Sequence, residues 1–240
     1  MPEEETKTLA HSVEAVDPKW KGLYRVGGIS MIIAGPVFII LAAFAIALGP
    51  SLASTDAALK NLAGQAILLQ GDIGLAILSD LLVIPAALAL YFALKGINKN
   101  AMLVAAGFLG LFVILDLGLS VPNFLQLITI SRNYLAATSD AQRSTYVASM
   151  NNLFSMLSLV SPICAFLVPS IGSLMTSLVM LRGIFRRMVA YVGILASVAG
   201  ILVGLSVLLP VLGNLDLINL PLLGIWFVLA GFRLYGLGKR

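Results

Sequence analysis

Long apolar runs alternate with short polar segments along most of the chain, and this alternation predicts six membrane-spanning helices. Each run is long enough to cross a hydrocarbon core of ~30 Å at ~1.5 Å per residue. The sequence therefore predicts an all-α membrane protein, a six-span transmembrane helix bundle. In chain order, spans 1 to 6 are predicted at about 24–49, 67–94, 100–121, 158–181, 188–211 and 217–237.

The polar segments divide the chain into a leader and one transmembrane domain. Residues 1–23 are polar and predict a cytosolic leader, and residues 24–240 form a single transmembrane helical domain. Residues 123–157 are too long for a turn and carry apolar residues at helical spacing. They predict an outer helical hairpin between spans 3 and 4, whose second arm starts at the capping-box pattern Ser139-Asp140-Ala141-Gln142.

A shorter outer segment, residues 54–64, predicts a small amphipathic helix with a cap signal at Ser54-Thr55. Spans 5 and 6 are joined by a predicted tight turn at Gly213-Asn214-Leu215-Asp216.

Basic residues are distributed unevenly between the two sides of this topology. Only three of the 15 lie on one side, Lys60, Arg132 and Arg143. Cytoplasmic loops are enriched in Lys and Arg, which predicts that both termini are cytoplasmic. The other side holds twelve, namely Lys7, Lys19, Lys21, Arg25, Lys95, Lys99, Arg182, Arg186, Arg187, Arg233, Lys239 and Arg240.

Composition supports a bilayer as the solvent. Hydrophobic residues make up 60% of the chain and charged residues 11%, whereas soluble domains carry about 25% charged residues. The mean hydropathy of +1.02 also indicates a membrane protein. The predicted location is the cell (plasma) membrane. The basic residues that give the pI near 9.3 lie between the apolar runs, where orientation in the membrane explains them, so no nucleic-acid partner is expected.

The sequence contains few of the residues that metal sites and serine–histidine catalysis require. Cys164 is the only cysteine and His11 the only histidine, and His11 lies in the polar leader. An internal disulfide, a zinc site and serine–histidine chemistry are therefore not expected. We predict no metal and no cofactor.

Small residues recur on single faces of spans 1 and 5. Such faces let helices approach closely where lipid supplies no hydrophobic driving force. They indicate helix packing, with membrane lipids and either other membrane subunits or further copies of the chain as expected partners. The glycines concerned are Gly28, Gly35, Gly193, Gly200 and Gly204.

Three acids inside the apolar runs are the candidates for chemistry. Asp72 and Asp80 lie in span 2 and Asp116 in span 3, where a charged side chain costs about 2.5–3.5 kcal/mol. Two nearby carboxylates repel, which favours a shared proton. One interpretation is an outward-facing polar vestibule with Asp80 and Asp116 at its floor, and the other is a structural tie between helices or to a partner. The candidate proton, ion or polar-ligand site comprises Asp72, Asp80, Asp116, Ser120, Asn123 and Asn151.

The segment Leu23-Tyr24-Arg25-Val26-Gly27-Gly28, which leads directly into span 1, carries a resemblance to a known family. With the order of six spans, it resembles the uncharacterised membrane family called domain of unknown function 4386. That resemblance implies a prokaryotic six-span protein and no particular activity, ligand or catalytic residue.

Three functions fit these features. The favoured one is a non-enzymatic accessory or scaffold subunit of a membrane complex, because catalytic residue sets are missing and packing faces are present. The second is a proton- or cation-coupled secondary transporter that uses the intramembrane aspartates. The third is an intramembrane lipid-modifying enzyme with aspartates as acid and base, which the lack of His and metal ligands disfavours.

Overall fold

The computed structural model describes residues 18–48 and 55–239. Helices make up almost all of these residues. Those ranges contain no strand. Short 3-10 turns lie at Pro18–Trp20, Leu205–Val207 and Pro210–Leu215. Seven longer helices are α1 (Lys21–Leu48), α2 (Thr55–Gly64), α3 (Ala66–Leu94), α4 (Lys99–Ala136), α5 (Asp140–Met180), α6 (Arg187–Gly204) and α7 (Asp216–Lys239).

Six of these helices, all except α2, are long and apolar enough to cross a membrane. The outside of the bundle is apolar as well, since Ile67, Ile114 and Leu103 are 86%, 70% and 60% exposed. Water would penalise so much exposed apolar surface, whereas lipid does not. The prediction of an all-helical, multi-pass membrane protein is confirmed.

The six long helices form a closed ring in which each packs on its neighbours in sequence and α7 returns to α1. Large side chains fill the centre, among them the buried Trp226, Phe38 and Phe112. A second, smaller apolar cluster packs α2 against the C-terminal part of α4 and the N-terminal part of α5.

One end of the ring gathers most of the basic residues, and we call it the basic end. Arg25 Nε donates to the carbonyl oxygen of Gly238 at 2.8 Å, which ties the start of α1 to the end of α7. Arg233 donates to the carbonyl oxygen of Ile184 in the α5–α6 connection at 3.0 and 3.1 Å. Lys95 Nζ lies 4.4 Å from the Phe92 ring centroid, beside the stacked Trp20 ring.

Glycines set the spacing between α1 and α7. A Cβ atom at Gly28 would lie 2.6 Å from the backbone nitrogen of Tyr235, and one at Gly231 would lie 2.9 Å from the carbonyl oxygen of Gly28. Two turns after Gly28 on α1, Gly35 lies against Gly224 of α7 in the same way. Close backbone approach of this kind maximises dispersion contacts between helices in lipid. The glycines on α1 were predicted from their spacing, and their partners on α7 were not.

The glycines predicted on α6 also lie at helix contacts. A Cβ atom at Gly193 would overlap with the side chains of Ser177 and Trp226, and one at Gly200 would overlap with Ser170. A Cβ atom at Gly204 would lie 2.9 Å from the backbone of Leu167.

The helix ends agree with one prediction from the sequence and differ from another. Helix α6 ends at Gly204 and a 3-10 turn follows to Val207, short of the predicted end of span 5 at 211. Leu209 is extended, as residues before a proline often are, and separates this turn from the next one, which begins at Pro210. Ser139 caps α5 as predicted, accepting from the Gln142 N–H at 3.3 Å. The Gln142 side chain bonds to the Thr138 N–H instead of the Ser139 N–H of a standard capping box. Ser54 and most of the predicted leader lie outside the described residues.

We predict that Gly28→Ala lowers the free energy of unfolding by about 1–3 kcal/mol, because the added methyl group forces α1 away from α7. Gly107→Ala is the matched control, since a Cβ atom at Gly107 meets no other group within 4 Å. Unfolding in mixed micelles measures both variants. Equal effects of the two substitutions would contradict the packing described here.

Candidate functional site: a buried carboxyl pair at two π-helical segments

Asp80 and Asp116 meet inside the bundle. Asp80 is the middle residue of the 29-residue helix α3, fourteen residues from Ala66 and from Leu94, so it lies ~21 Å from either end. Its side chain is 1% exposed, and that of Asp116 on α4 is 8% exposed. The two carboxyl groups lie close enough for a side-chain hydrogen bond between them. Ionised carboxylates only accept hydrogen bonds, so such a bond requires a proton on one of them.

No cation neutralises this pair in the part of the chain that the structure describes. The one charged side chain that acts on Asp80 there is Asp116. Oxygen Oδ2 of Asp80 and the hydroxyl oxygen of Ser120 are buried without a hydrogen-bond partner. Buried polar atoms are normally bonded, so a proton, a water molecule or a solute is the expected partner of these two.

Asp116 lies at the start of a π-helical segment, Asp116–Ser120, in the interior of α4. The N–H of Val121 bonds to the carbonyl oxygen of Asp116, five residues back, instead of four. Pro122 follows directly after Val121; it lacks an N–H, and its ring would clash with the carbonyl of Gly118 in a regular α-helix. The wider turn accommodates the ring, so α4 continues past Pro122, where the sequence places the end of span 3, to Ala136.

Helix α5 repeats this arrangement. Its π-helical segment is Pro162–Leu167, in which the N–H of Val168 bonds to the carbonyl oxygen of Ile163, and Pro169 follows two residues later. The two π-helical segments contact each other. Cys164 in the second segment is buried, and its thiol lies close enough to Asp116 to experience the charge of that residue. Single π turns inside α-helices occur frequently at functional sites.

The remaining predicted site residues lie apart from this pair. Asp72 is half-buried, two turns along α3 from Asp80, and no other described charged group acts on it. Asn123 donates to the Leu119 carbonyl of its own helix at 2.8 Å. Asn151 accepts from the Thr55 hydroxyl at 2.8 Å, which ties α5 to α2. The assignment of the six predicted residues to one site stays a prediction.

A buried row of hydroxyl and amide groups was not predicted. Ser173 and Ser197 share a hydrogen bond of 2.9 Å between α5 and α6, and Asn219 on α7 donates to the Ala196 carbonyl at 2.8 Å. The signal that was available is the spacing of polar residues opposite the glycines of α6. These bonds join helices, and such bonds are worth about 0.6–2 kcal/mol each in membrane proteins.

We predict that Asp80→Asn and Asp116→Asn are energetically coupled. Because the two carboxyl groups lie close enough to bond to each other, a double-mutant cycle on the free energy of unfolding should give a coupling energy of roughly 0.5–3 kcal/mol. Asp80→Asn combined with Asp140→Asn is the control, since Asp140 is an exposed acid at the start of α5. Additive effects in the first cycle would show that the pair does not interact.

Comparisons with protein-family models, with curated proteins and with solved structures each found no match to this chain. The resemblance to an uncharacterised six-span family stays a prediction from the sequence. The function is therefore argued from the residues and the geometry of the carboxyl pair alone.

Proposed function

We propose that this chain is a proton-coupled membrane carrier in which Asp80 and Asp116 hold one proton between them. The observation that carries the proposal is the pair of adjacent, buried carboxyl groups in the middle of the bundle, with no described cation beside it. Two adjacent carboxylates in a medium of low dielectric constant cannot both remain charged, so one keeps a proton. Ionisable groups in such positions mark proton relays in pumps and transporters.

The packing around the pair supports access from one end at a time. Towards the basic end, α3 presents the buried apolar side chains of Val83, Ala86 and Leu90, which leave no polar route. Towards the opposite end, Ser161, Ser158 and Ser155 recur every three residues on α5 from the π-helical segment outward. Hydroxyl groups at this spacing share a helix face and can relay a proton through intervening water.

The two π-helical segments are the places where this packing can change. Each lies beside a proline, so the helix is already interrupted there and its two halves can tilt relative to each other. In this mechanism, loss of the shared proton leaves two repelling carboxylates, which drives α3 and α4 apart. Opening towards the basic end then completes alternating access.

We propose further that the basic end faces the cytoplasm of a prokaryotic cell and that the bundle spans the plasma membrane. Ten of the 13 Lys and Arg residues in the described ranges belong to the basic end, which supports this orientation through the positive-inside rule. The meeting point of α4 and α5 would then form the outer hairpin, because these helices, at 38 and 41 residues, exceed the ~20 residues that a crossing needs.

We predict proton flux through the full chain in vesicles with an imposed pH gradient and a trapped pH-sensitive dye. The test solutes are decyltrimethylammonium, decyl sulfate and a mixture of amino acids, and the two amphiphiles carry fixed charges, so they cannot shuttle protons themselves. At least one solute should collapse the gradient faster than in empty vesicles. Asp80→Asn should reduce that rate to the empty-vesicle level, because its amide cannot release a proton.

Asp140→Asn is the matched control for this experiment and should behave like the unchanged chain, since Asp140 lies exposed, far along α5 from the pair. No acceleration by any of the three solutes, or equal acceleration with Asp80→Asn, would overturn the carrier proposal.

A second candidate is the accessory or scaffold subunit, which one surface feature favours. Where α4 and α5 run towards their junction, a groove of about 300 Å³ is lined by Asn123, Gln126, Ser149 and Asn152 together with two apolar side chains. Amide and hydroxyl groups of this kind suit contact with a partner outside the hydrocarbon. If the chain carries none of the solutes and copurifies with another subunit from its native membrane, this candidate replaces the carrier.

A further inference from the structure

A cavity of about 630 Å³ lies at the end of the bundle opposite the basic end. It is enclosed by the ends of α1 and α2, the middle parts of α4 and α5, and the connection between α6 and α7. Its volume falls within the range of roughly 300–1,000 Å³ that is typical of sites for one small ligand. Apolar side chains form most of its lining, namely Leu48, Leu62, Phe124, Leu127, Phe154, Leu157, Pro162, Phe166 and Val203.

The polar groups that line this cavity are almost all oxygen atoms that can accept a hydrogen bond or face a cation. Ser155, Ser158 and Ser161 come from one face of α5, and Ser206 comes from the turn after α6. Ser155 and Ser158 donate their own protons to carbonyl oxygens of α5 at 2.9 Å, so their lone pairs remain available. The lining residues include no Lys, Arg or His.

Asp216 is the one charged residue in this lining among the residues that the structure describes. It is the first residue of α7 and is half-buried. A helix start is favourable for an acid, which explains how the carboxylate is tolerated there. The helix start does not account for the cavity beside it or for the serine oxygens on the facing helix.

We propose that this cavity binds one amphiphilic cation, with its positive group between Asp216 and the serine oxygens and its apolar body against the aromatic rings of Phe124, Phe154 and Phe166. A neutral amphiphile would leave the carboxylate unpaired and an anionic one would be repelled, so the lining selects for positive charge. Aromatic faces also attract cations.

This inference deepens the proposed function and rests on it in one respect. The bound cation is taken to be the solute that the carrier exchanges for the proton. The link is the serine row of α5, which runs from the cavity to the π-helical segment of Cys164 beside Asp116. Ser161 directly precedes the π-helical segment Pro162–Leu167, so the helix that lines the cavity also carries the thiol that lies near Asp116.

Direct binding to the full chain in lipid nanodiscs tests the site, with decyltrimethylammonium as the probe. We expect saturable binding of this cation, weaker binding of decanol and none of decyl sulfate. Asp216→Asn should weaken the affinity for the cation roughly tenfold, since one charge-assisted contact is lost, and should leave decanol binding unchanged. Asp140→Asn is the matched acid control and should change neither.

Ser158→Phe is a second variant that does not depend on charge, because its ring fills part of the cavity. It should abolish binding of the cation and of decanol together. Unchanged cation affinity in Asp216→Asn, equal affinity for decyl sulfate, or a retained lipid that the cation fails to displace would overturn the inference.

Failure of this inference and failure of the carrier function give different results. Asp80→Asn should bind the cation normally while it loses proton flux. If amino acids alone collapse the pH gradient and the cation does not bind, the cavity inference fails and the carrier proposal stands. If the cation binds in an Asp216-dependent way without any flux, the site stands and the carrier proposal fails.

Discussion

Hydrocarbon offers no hydrogen-bond partner to a backbone group, and this constraint shapes both the fold and the candidate site. Every N–H and carbonyl group inside the bilayer has to be bonded within the protein, which restricts this chain to helices. Pro122 and Pro169 each remove one N–H from a helix that continues past them. Local widening into the π-helical segments Asp116–Ser120 and Pro162–Leu167 keeps the remaining backbone groups bonded while it accommodates the two rings.

The same two segments place the chemistry. Asp116 at the start of the first segment lies beside Asp80 of α3. Cys164 in the second segment lies near Asp116. The carboxyl pair thus lies where α4 and α5 contain π-helical segments beside prolines, and no described protein group bonds to Oδ2 of Asp80 or to the hydroxyl oxygen of Ser120. Carrier and cavity proposals both follow from this arrangement.

The sequence predicted the features that depend on whether a helix face meets lipid or another helix. Apolar run length predicted the six long helices, and residue spacing placed Gly28 and Gly35 on the face of α1 that α7 covers. It was uninformative about how helices associate around the ring, so it did not predict the hydrogen bond between Thr55 and Asn151 that ties α2 to α5. The cavity at Asp216 draws its lining from six helices and two short turns, and no local pattern encodes such a convergence. Pro122 was read as the end of a span, although a proline followed by a further apolar helical pattern is equally the signal of an interrupted helix.

The central claim is that Asp80 and Asp116 hold one proton inside the bilayer at neutral pH. Infrared spectroscopy of the full chain in nanodiscs tests it most directly, because a protonated carboxyl group has a C=O band distinct from that of a carboxylate and shifts it in deuterated water. The difference spectrum between the unchanged chain and the Asp80→Asn/Asp116→Asn double variant should contain the band of one protonated carboxyl group and one carboxylate. Two carboxylate bands without a protonated one, or no difference between the two proteins, would contradict the account.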